Sequence, residues 1–194
     1  MSFVAFLGCD GSGKSAVIQG LANRLEAEGV SISLGHWRPK PFASPSTTAQ
    51  AADNPHGQSP RGLASSLMKL TWLWLNWWVA WLSGTGRSAR EGMLLFDRYH
   101  ADLLVDPRRY RYGGPMIFAR LASRLMPQPE HVIYLDASAD VLLSRKQEVD
   151  RATLEKSRSA YHHLCRTHPR FKIVDASRPL DEVVSDVFQI VRLR

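Results

Sequence analysis

Cysteine is scarce in this chain. Only Cys9 and Cys165 occur among its 194 residues, and they do not form a C-x-x-C pair. Two cysteines so far apart in the sequence favour neither a disulfide framework nor a zinc site. The composition therefore argues against a disulfide-stapled secreted protein, and we expect the chain to work in a reducing cytoplasm.

A long hydrophobic leader is also missing. The apolar stretch at residues 3–7 has no basic segment before it and no small-residue cleavage site after it. A signal peptide needs a longer apolar region with both of these features. The stretch predicts a buried strand instead, so we expect no targeting segment here.

Acidic residues are outnumbered, which gives a formal net charge of +7. A basic surface of this kind suits anionic partners. The basic residues are scattered along the chain rather than gathered in one stripe, which disfavours nucleic acid as a partner. An N-K-x-D segment for reading guanine is also missing, which disfavours a GTPase switch.

Hydrophobic residues make up 44 % of the chain, which is enough for a packed core. The length of 194 residues predicts one globular domain spanning residues 1–194.

Short apolar runs alternate with helical patterns along the chain. Strands are predicted at residues 2–7, 30–34, 93–96, 131–135 and 171–174. Helices are predicted at residues 14–28, 63–83, 115–126, 139–147, 152–167 and 179–191. This alternation is typical of a parallel sheet with helices on both faces, in which ligands bind at the carboxyl ends of the strands.

One glycine-rich motif carries the strongest functional information. "GCDGSGKS" matches G-x-x-x-x-G-K-[ST] and lies between the first predicted strand and the first predicted helix, which is the context that confirms it. Its backbone amides can converge on phosphate oxygens, Lys14 can reach the β- and γ-phosphates, and Ser15 can hold Mg²⁺. The motif predicts a five-stranded, three-layer P-loop NTPase fold that binds ATP through Gly8, Cys9, Asp10, Gly11, Ser12, Gly13, Lys14 and Ser15.

Four segments in the same order resemble those of thymidylate kinase-type nucleoside monophosphate kinases. They are "GCDGSGKS", "FDRYHAD", "LDASADVLLSRKQEVDRATLEKSRSAYHHL" and "FKIVDASRPLDEVVSDVFQIV", and the resemblance extends over nearly the whole chain. It implies a kinase that transfers phosphate from ATP to a nucleoside monophosphate. It also implies a lid at residues 145–153 and an acceptor-side region at residues 36–92 within the single domain.

Phosphoryl transfer between two polyanions needs cations near the transferred group, and the sequence offers several. Asp97 and Arg98 end the third predicted strand, where the carboxylate can hold Mg²⁺ and the guanidinium can bridge donor and acceptor phosphates. By resemblance, Arg38 grips the acceptor phosphate, Asp10 touches an acceptor hydroxyl and Arg145 closes over the transferred phosphate. Arg145 is thus assigned to ATP binding and to catalysis, although the sequence leaves open whether Arg151 or Arg158 takes that place. The predicted catalytic residues are Lys14, Asp97, Arg98 and Arg145; the predicted metal ligands are Ser15 and Asp97.

Two departures from the sequence pattern of the thymidylate kinase family leave the identity of the acceptor open. Leu7 stands where the family usually has a glutamate, and "HADLLVDPRRYRYGGP" replaces the segment that helps the family read thymine. Arginines interleave with tyrosines there, which suits an extra anionic group or a base stacked on Tyr110, although an exposed basic loop is equally consistent. We assign Tyr110 to acceptor binding, together with Asp10, Arg38 and Arg98.

Tryptophan is concentrated in one predicted helix. Five of the six tryptophans lie within "LMKLTWLWLNWWVAWL", with Trp74, Trp77, Trp78 and Trp81 on one face. A helix that is apolar all round is buried or covered by a partner. We rank a core and homodimer interface first, the wall of the acceptor pocket second and contact with a membrane surface third. The histidines lack metal-ligand spacing and are interpreted as surface or capping residues.

Phosphorylation of dTMP to dTDP is the leading functional hypothesis. One alternative keeps the kinase but changes the acceptor to a sugar, a glycan end or a modified nucleotide, and it rests on the long loop at residues 36–62 and on the arginine–tyrosine segment. The other alternative is a regulatory ATP-binding module without turnover. An acceptor screen separates the first two, and ATP binding without acceptor-dependent release of ADP would identify the third.

Overall fold

The five predicted strands form one parallel sheet in a computed structural model of the chain, which describes residues 2–36, 59–147 and 149–192. The strands are β1 (Ser2–Leu7), β2 (Ile32–His36), β3 (Met93–Asp97), β4 (His131–Asp136) and β5 (Phe171–Asp175). Their order in the sheet is β2-β3-β1-β4-β5, and all four pairings are parallel. Each carboxyl end therefore points to the same edge.

Helices connect these strands. The α-helices are α1 (Lys14–Ala27), α2 (Leu63–Ala80), α3 (Gly86–Glu91), α4 (Ala101–Val105), α5 (Met116–Arg124), α6 (Ala139–Arg145), α7 (Arg151–Thr167) and α8 (Leu180–Arg192). A π-helical segment, Trp81–Thr85, follows α2 directly. Among the described helices, none combines the length and the apolarity needed to cross a bilayer.

Several boundaries differ from the sequence prediction. The second strand starts two residues later than expected, because the Val30 amide bonds to the Leu25 carbonyl and so closes the end of α1. The tryptophan-rich helix changes to π-helical geometry at Trp81, where Gly84 has non-helical dihedral angles. The short helices α3 and α4 were not predicted, because five or six residues carry too little periodicity to detect.

The chain folds into two compact units. The first unit comprises Met1–His36, Ser88–Tyr99 and Pro129–Arg194, and the second comprises Trp37–Arg87 and His100–Gln128. The prediction of one kinase domain with an acceptor-side region at residues 36–92 stays a prediction.

The first unit has its main core between the sheet and two helices. Phe6, Leu95 and Ile133 of the sheet are fully buried together with Leu21 of α1 and Val187 of α8. Tyr134, whose side chain lies on the opposite face of the sheet from Ile133, stacks on Tyr161 of α7 with ring centroids 4.6 Å apart. Helices therefore cover both faces of the sheet, as predicted.

The second unit is built on α2, α4 and α5. Its core contains the buried residues Leu73, Leu103, Tyr110, Tyr112 and Ala119. His100 is also buried here, and its Nδ1 lies 2.6 Å from the Ser123 hydroxyl. The sequence predicts that His100 is a surface or capping residue; it is the cap residue of α4, but it is buried and its side chain forms no hydrogen bond to the helix cap. A lone polar residue in the sequence gives no sign of such burial.

Candidate active site

The glycine-rich loop lies at the carboxyl edge of the sheet, between β1 and α1. Gly11 has a φ of +84°, and a Cβ added there would lie 2.7 Å from the Leu142 carbonyl oxygen. A Cβ added at Gly8 would lie 2.9 Å from the Leu135 carbonyl oxygen. Both positions therefore require glycine, and β4 and α6 approach the loop backbone closely.

Lys14 is held inside this loop. Its ammonium donates to the carbonyl oxygens of Gly8 and Cys9, both at 2.9 Å, and to the Ser12 hydroxyl at 3.3 Å. The lysine is buried, although it starts α1. These contacts hold the Lys14 ammonium within the loop, and the cap of α1, Gly13, forms no side-chain hydrogen bond to the first amides of the helix. The arrangement suits a polyphosphate.

Ser15, one residue further, is exposed at the start of α1. The residues of the motif thus lie between β1 and the first turn of α1, and their assignment to ATP binding stays a prediction.

Asp97 and Arg98 lie beside this loop. Asp97 ends β3 opposite Phe6 of β1, and the Arg98 amide donates to the Phe6 carbonyl at 2.9 Å. Arg98 has a φ of +67°, a left-handed conformation that costs energy in any residue with a Cβ. Such a conformation, held by the surrounding structure, is typical of functional sites.

The Arg98 guanidinium forms an ion pair with Asp10 of the loop. Its Nη2 lies 2.6 Å from the Asp10 carboxylate, and both side chains are nearly buried. The ion pair joins a strand-end cation to the phosphate loop. Two residues that are far apart in the sequence, and that were assigned to the acceptor, are therefore in contact.

The Asp97 carboxylate gives a further clue. Its Oδ1 is buried and has no hydrogen-bond partner among the described residues. A buried carboxylate oxygen is costly unless a proton or a cation compensates it. Its chemistry and its place at the strand end fit a ligand for Mg²⁺, and the pairing of Asp97 with Ser15 as metal ligands stays a prediction.

Arg145 ends α6 against the loop. Its Nη1 donates to the Ala176 carbonyl at 2.9 Å, and an added Cβ at Gly11 would lie 3.5 Å from the Arg145 Cβ. The start of the predicted lid is therefore packed on the phosphate loop.

The other two candidate arginines, Arg151 and Arg158 of α7, have partners elsewhere. Arg158 donates to both carboxylate oxygens of Asp136, at 2.9 and 3.0 Å, and Arg151 pairs with Asp140. Of the three arginines that the sequence left open, Arg145 is the one in contact with the phosphate-loop region.

Asp136 is a residue that the sequence analysis missed. It ends β4 and accepts hydrogen bonds from Tyr134, Arg158 and His162. Burial by itself would raise the pKa of Asp136, but these hydrogen bonds outweigh burial and hold that pKa below its ordinary value. An aspartate at the end of a second parallel strand was the available signal, since Asp97 occupies the equivalent place on β3.

The two remaining acceptor residues are not joined to this site by the structure. Arg38 lies outside the described residues. Tyr110 belongs to the second unit, where its ring is buried and its hydroxyl lies 3.4 Å from a carboxylate oxygen of Asp102. Their assignment to the acceptor stays a prediction, as do the homodimer and the cytoplasmic location.

Comparison with known proteins finds similarity to thymidylate kinases. A scan against protein-family models gives no match. A thymidylate kinase of Symbiobacterium thermophilum is 28 % identical over 203 aligned positions, which cover 97 % of this chain and 92 % of that protein. A probable thymidylate kinase of Sulfolobus acidocaldarius is 30 % identical over 51 % of this chain and 54 % of its own length. A thymidylate kinase of Pediococcus pentosaceus is 36 % identical over 32 % of this chain and 36 % of its own length.

The parallel sheet and its glycine-rich loop define the fold of a P-loop NTPase. Within that class the chain is thymidylate kinase-like, and the resemblance carried by its four ordered segments is confirmed. The similarity supports the function of a nucleotide kinase, a phosphotransferase that uses ATP.

Proposed function

We propose that this chain transfers the γ-phosphoryl group of ATP to dTMP, giving ADP and dTDP. The observation that carries the proposal is the Arg98–Asp10 ion pair, which links a strained strand-end arginine to the phosphate loop. An arginine in that position can contact the donor phosphates and the acceptor phosphate together. Similarity to named thymidylate kinases over most of the chain supports the choice of dTMP.

The donor is held by the loop. The first amides of α1 and the Lys14 ammonium bind the β- and γ-phosphates, because both present positive charge at the same point. Ser15 and Asp97 would hold Mg²⁺, which would supply further positive charge at the phosphate oxygens. The unpartnered Oδ1 of Asp97 is the observation that supports this ligand.

Transfer is a single in-line displacement. An oxygen of the acceptor phosphate forms the new bond to the γ-phosphorus, and the bond from that phosphorus to the β-phosphate oxygen breaks. The electron pair of the broken bond stays on ADP. A phosphate dianion is already deprotonated, so no base is needed. Because its oxygen attacks the γ-phosphorus directly, no covalent intermediate with the chain is needed either. Lys14, Arg98 and Arg145 stabilise the charge that spreads over the equatorial oxygens.

Arg145 contributes from the lid side. Its contact with the Ala176 carbonyl keeps the guanidinium beside the loop, while Asp136 holds Arg158. Closing this side of the site excludes water, which would otherwise compete with the acceptor for the phosphoryl group.

A coupled assay of ADP release tests the proposal. We expect release from ATP and Mg²⁺ to depend on dTMP and to saturate with it. A panel of other nucleoside monophosphates, sugars and phosphorylated sugars runs in parallel. Release that responds to another acceptor and not to dTMP would overturn dTMP as the substrate and leave the kinase in place. ATP binding with no release for any acceptor would favour a regulatory module.

One observation favours a second candidate, a kinase for an acceptor with an additional anionic group. Tyr110 and Tyr112 are buried in the core of the second unit, so the accessible side chains of their segment are arginines. Arg111 also has a positive φ, of +54°, and donates to the Ser59 carbonyl. A segment that exposes arginines rather than rings suits an anion better than a stacked base. Phosphorylated sugars in the acceptor panel test this candidate.

A further inference from the structure

His36, the last residue of β2, lies beside the candidate active site. The register of the parallel strands places His36 opposite Asp97 of β3, and Asp97 opposite Phe6 of β1. These residues are therefore at the carboxyl edge of the sheet, where the phosphate loop follows β1. Neighbouring strands lie about 4.8 Å apart, so the backbone of His36 is one strand away from the residue whose carboxylate oxygen is buried without a partner.

The side chain of His36 lies on the same face of the sheet as that of Asp97, because paired residues of parallel strands point to the same side. The neighbouring pair agrees with this alternation. A Cβ added at Gly35 would lie 2.1 Å from the Phe96 ring, so Gly35 and Phe96 share the other face. Phe6, which also pairs with Asp97, belongs to the core that α1 covers. His36 and Asp97 therefore point to the side of the sheet on which α1 lies.

The end of β2 is accessible on this face. Leu34, two residues before His36, is 57 % exposed, and His36 is exposed as well. Leu34 pairs with Leu95 of β3, which is fully buried in the core beneath α1. The cover that the helix gives to the sheet therefore ends between β3 and β2. A ligand bound at the carboxyl edge can reach the imidazole from this side.

The two sides of the phosphate loop differ in the residues that they carry. On the β4 side, Arg145 ends α6 against the loop. On the β3 side lie Asp97 and Arg98, and Arg98 pairs with Asp10 of the loop. The strand order β2-β3-β1 puts His36 on this second side, one strand further from the loop than Arg98. In the proposed reaction Arg98 contacts both donor and acceptor, so His36, which lies beyond it, is on the acceptor side.

The chemistry of an imidazole suits this place. It has an N–H donor in both its neutral and its protonated form. An acceptor phosphate near Asp97 is repelled by the carboxylate, so it needs donors around it. Arg98 supplies donors from the strand that carries Asp97, and His36 supplies one from the neighbouring strand. Donors on both sides of a carboxylate fit a phosphate better than an uncharged group.

We propose that His36 is a further acceptor-binding residue, and that its imidazole donates a hydrogen bond to the phosphate of the nucleoside monophosphate. The inference rests on the proposed function, which puts the acceptor on the β3 side of the loop. The contact goes to a phosphate oxygen that does not attack, so it is equally strong before and during phosphoryl transfer. His36 therefore sets KM for the acceptor and leaves kcat nearly unchanged.

Steady-state kinetics of His36→Ala tests the contact. KM for dTMP should rise about tenfold, as expected for the loss of one hydrogen bond to a charged group, while kcat and KM for ATP change little. His36→Gln keeps an N–H donor and should recover most of the affinity for dTMP. The matched control is His163→Ala, which removes an exposed histidine of α7 and should leave every constant unchanged. Circular dichroism shows that each variant is folded.

Thymidine separates a phosphate contact from a contact with the rest of the acceptor. It is dTMP without the phosphate, so its inhibition constant should be the same for the unaltered chain and for His36→Ala. Equal weakening of thymidine and dTMP would overturn the proposal, and so would an unchanged KM for dTMP. A rise in KM for ATP or in the Mg²⁺ requirement, without a change for dTMP, would place His36 on the donor side and would also overturn it.

Failure of the proposed function gives a different result. If the unaltered chain releases ADP only with another acceptor, the variants are compared on that acceptor. A tenfold rise in its KM in His36→Ala would then support the inference, and an acceptor without a phosphate would overturn it. If no acceptor gives release, calorimetric titration with dTMP decides. Binding that His36→Ala weakens supports the contact, whereas no binding, or equal binding by both forms, overturns it.

Discussion

The two units of this chain differ in how their cations are paired and in how much apolar surface they expose. In the first unit the site cations have specific partners: Lys14 bonds to its own loop, Arg98 to Asp10 and Arg158 to Asp136. In the second unit cations greatly outnumber the described acids, and two helices expose apolar rows. Ion pairs that hold charged groups at strand ends are typical of a site organised for chemistry, whereas exposed apolar rows are typical of an interface.

The largest effect that this comparison predicts concerns Lys14. Lys14→Ala removes the buried ammonium from the phosphate loop, so turnover should fall by at least about a hundredfold. The measurement is kcat in the ADP-release assay. Lys172→Ala, at an exposed position of β5, is the matched control and should keep full activity. Near-normal turnover of Lys14→Ala would contradict the assignment of the loop.

The Arg98–Asp10 pair comes next. Arg98→Ala should lower kcat/KM for the acceptor by roughly ten- to a hundredfold, in line with the loss of a charged hydrogen bond. Asp10→Asn should lower it less, because the arginine remains. The double variant should then cost less than the sum of the two single changes. Strict additivity would show that the two residues act independently.

A third prediction compares two carboxylates of the first unit. Asp136→Asn removes the charged, two-oxygen partner of the largely buried Arg158 and leaves it only the half-exposed Glu155, so it should lower the free energy of unfolding by about 2 kcal/mol. Asp140→Asn breaks only the exposed pair with Arg151 and should change stability very little. Urea unfolding of both variants tests this difference. Equal effects would mean that the Asp136 network is not structural.

The last effect concerns His100 in the second unit. Burial lowers the pKa of His100 to about 3, against about 6.5 in an unfolded chain. Between these values the unfolded state binds the extra proton, so stability is complete above about pH 6.5 and falls by about 1.4 kcal/mol for each pH unit below it. His100→Gln should flatten this slope in unfolding curves between pH 6.5 and 5. The exposed His163→Gln is the control. A slope unchanged in His100→Gln would contradict the buried neutral state.

The sequence predicted the first unit better than the second for a physical reason. The phosphate loop has a fixed spacing set by the ligand that it surrounds, and strands buried on both faces form continuous apolar runs. The contact between Asp10 and Arg98 could not be predicted from a local motif. It depends on the pairing of β1 with β3, which are far apart in the sequence. The burial of Tyr110 also depends on packing between α2, α4 and α5 that carries no local pattern.

The backbone at Arg98 has a consequence for how this enzyme could change. Glycine adopts the left-handed conformation at a lower energy than a residue with a Cβ does. Arg98→Gly should therefore relieve the backbone strain at this position while removing the guanidinium. Selection of variants for thermal stability alone should therefore enrich glycine at position 98, whereas selection for turnover should retain arginine. A library randomised at codon 98 and put through both selections would show whether stability and activity trade off at this residue.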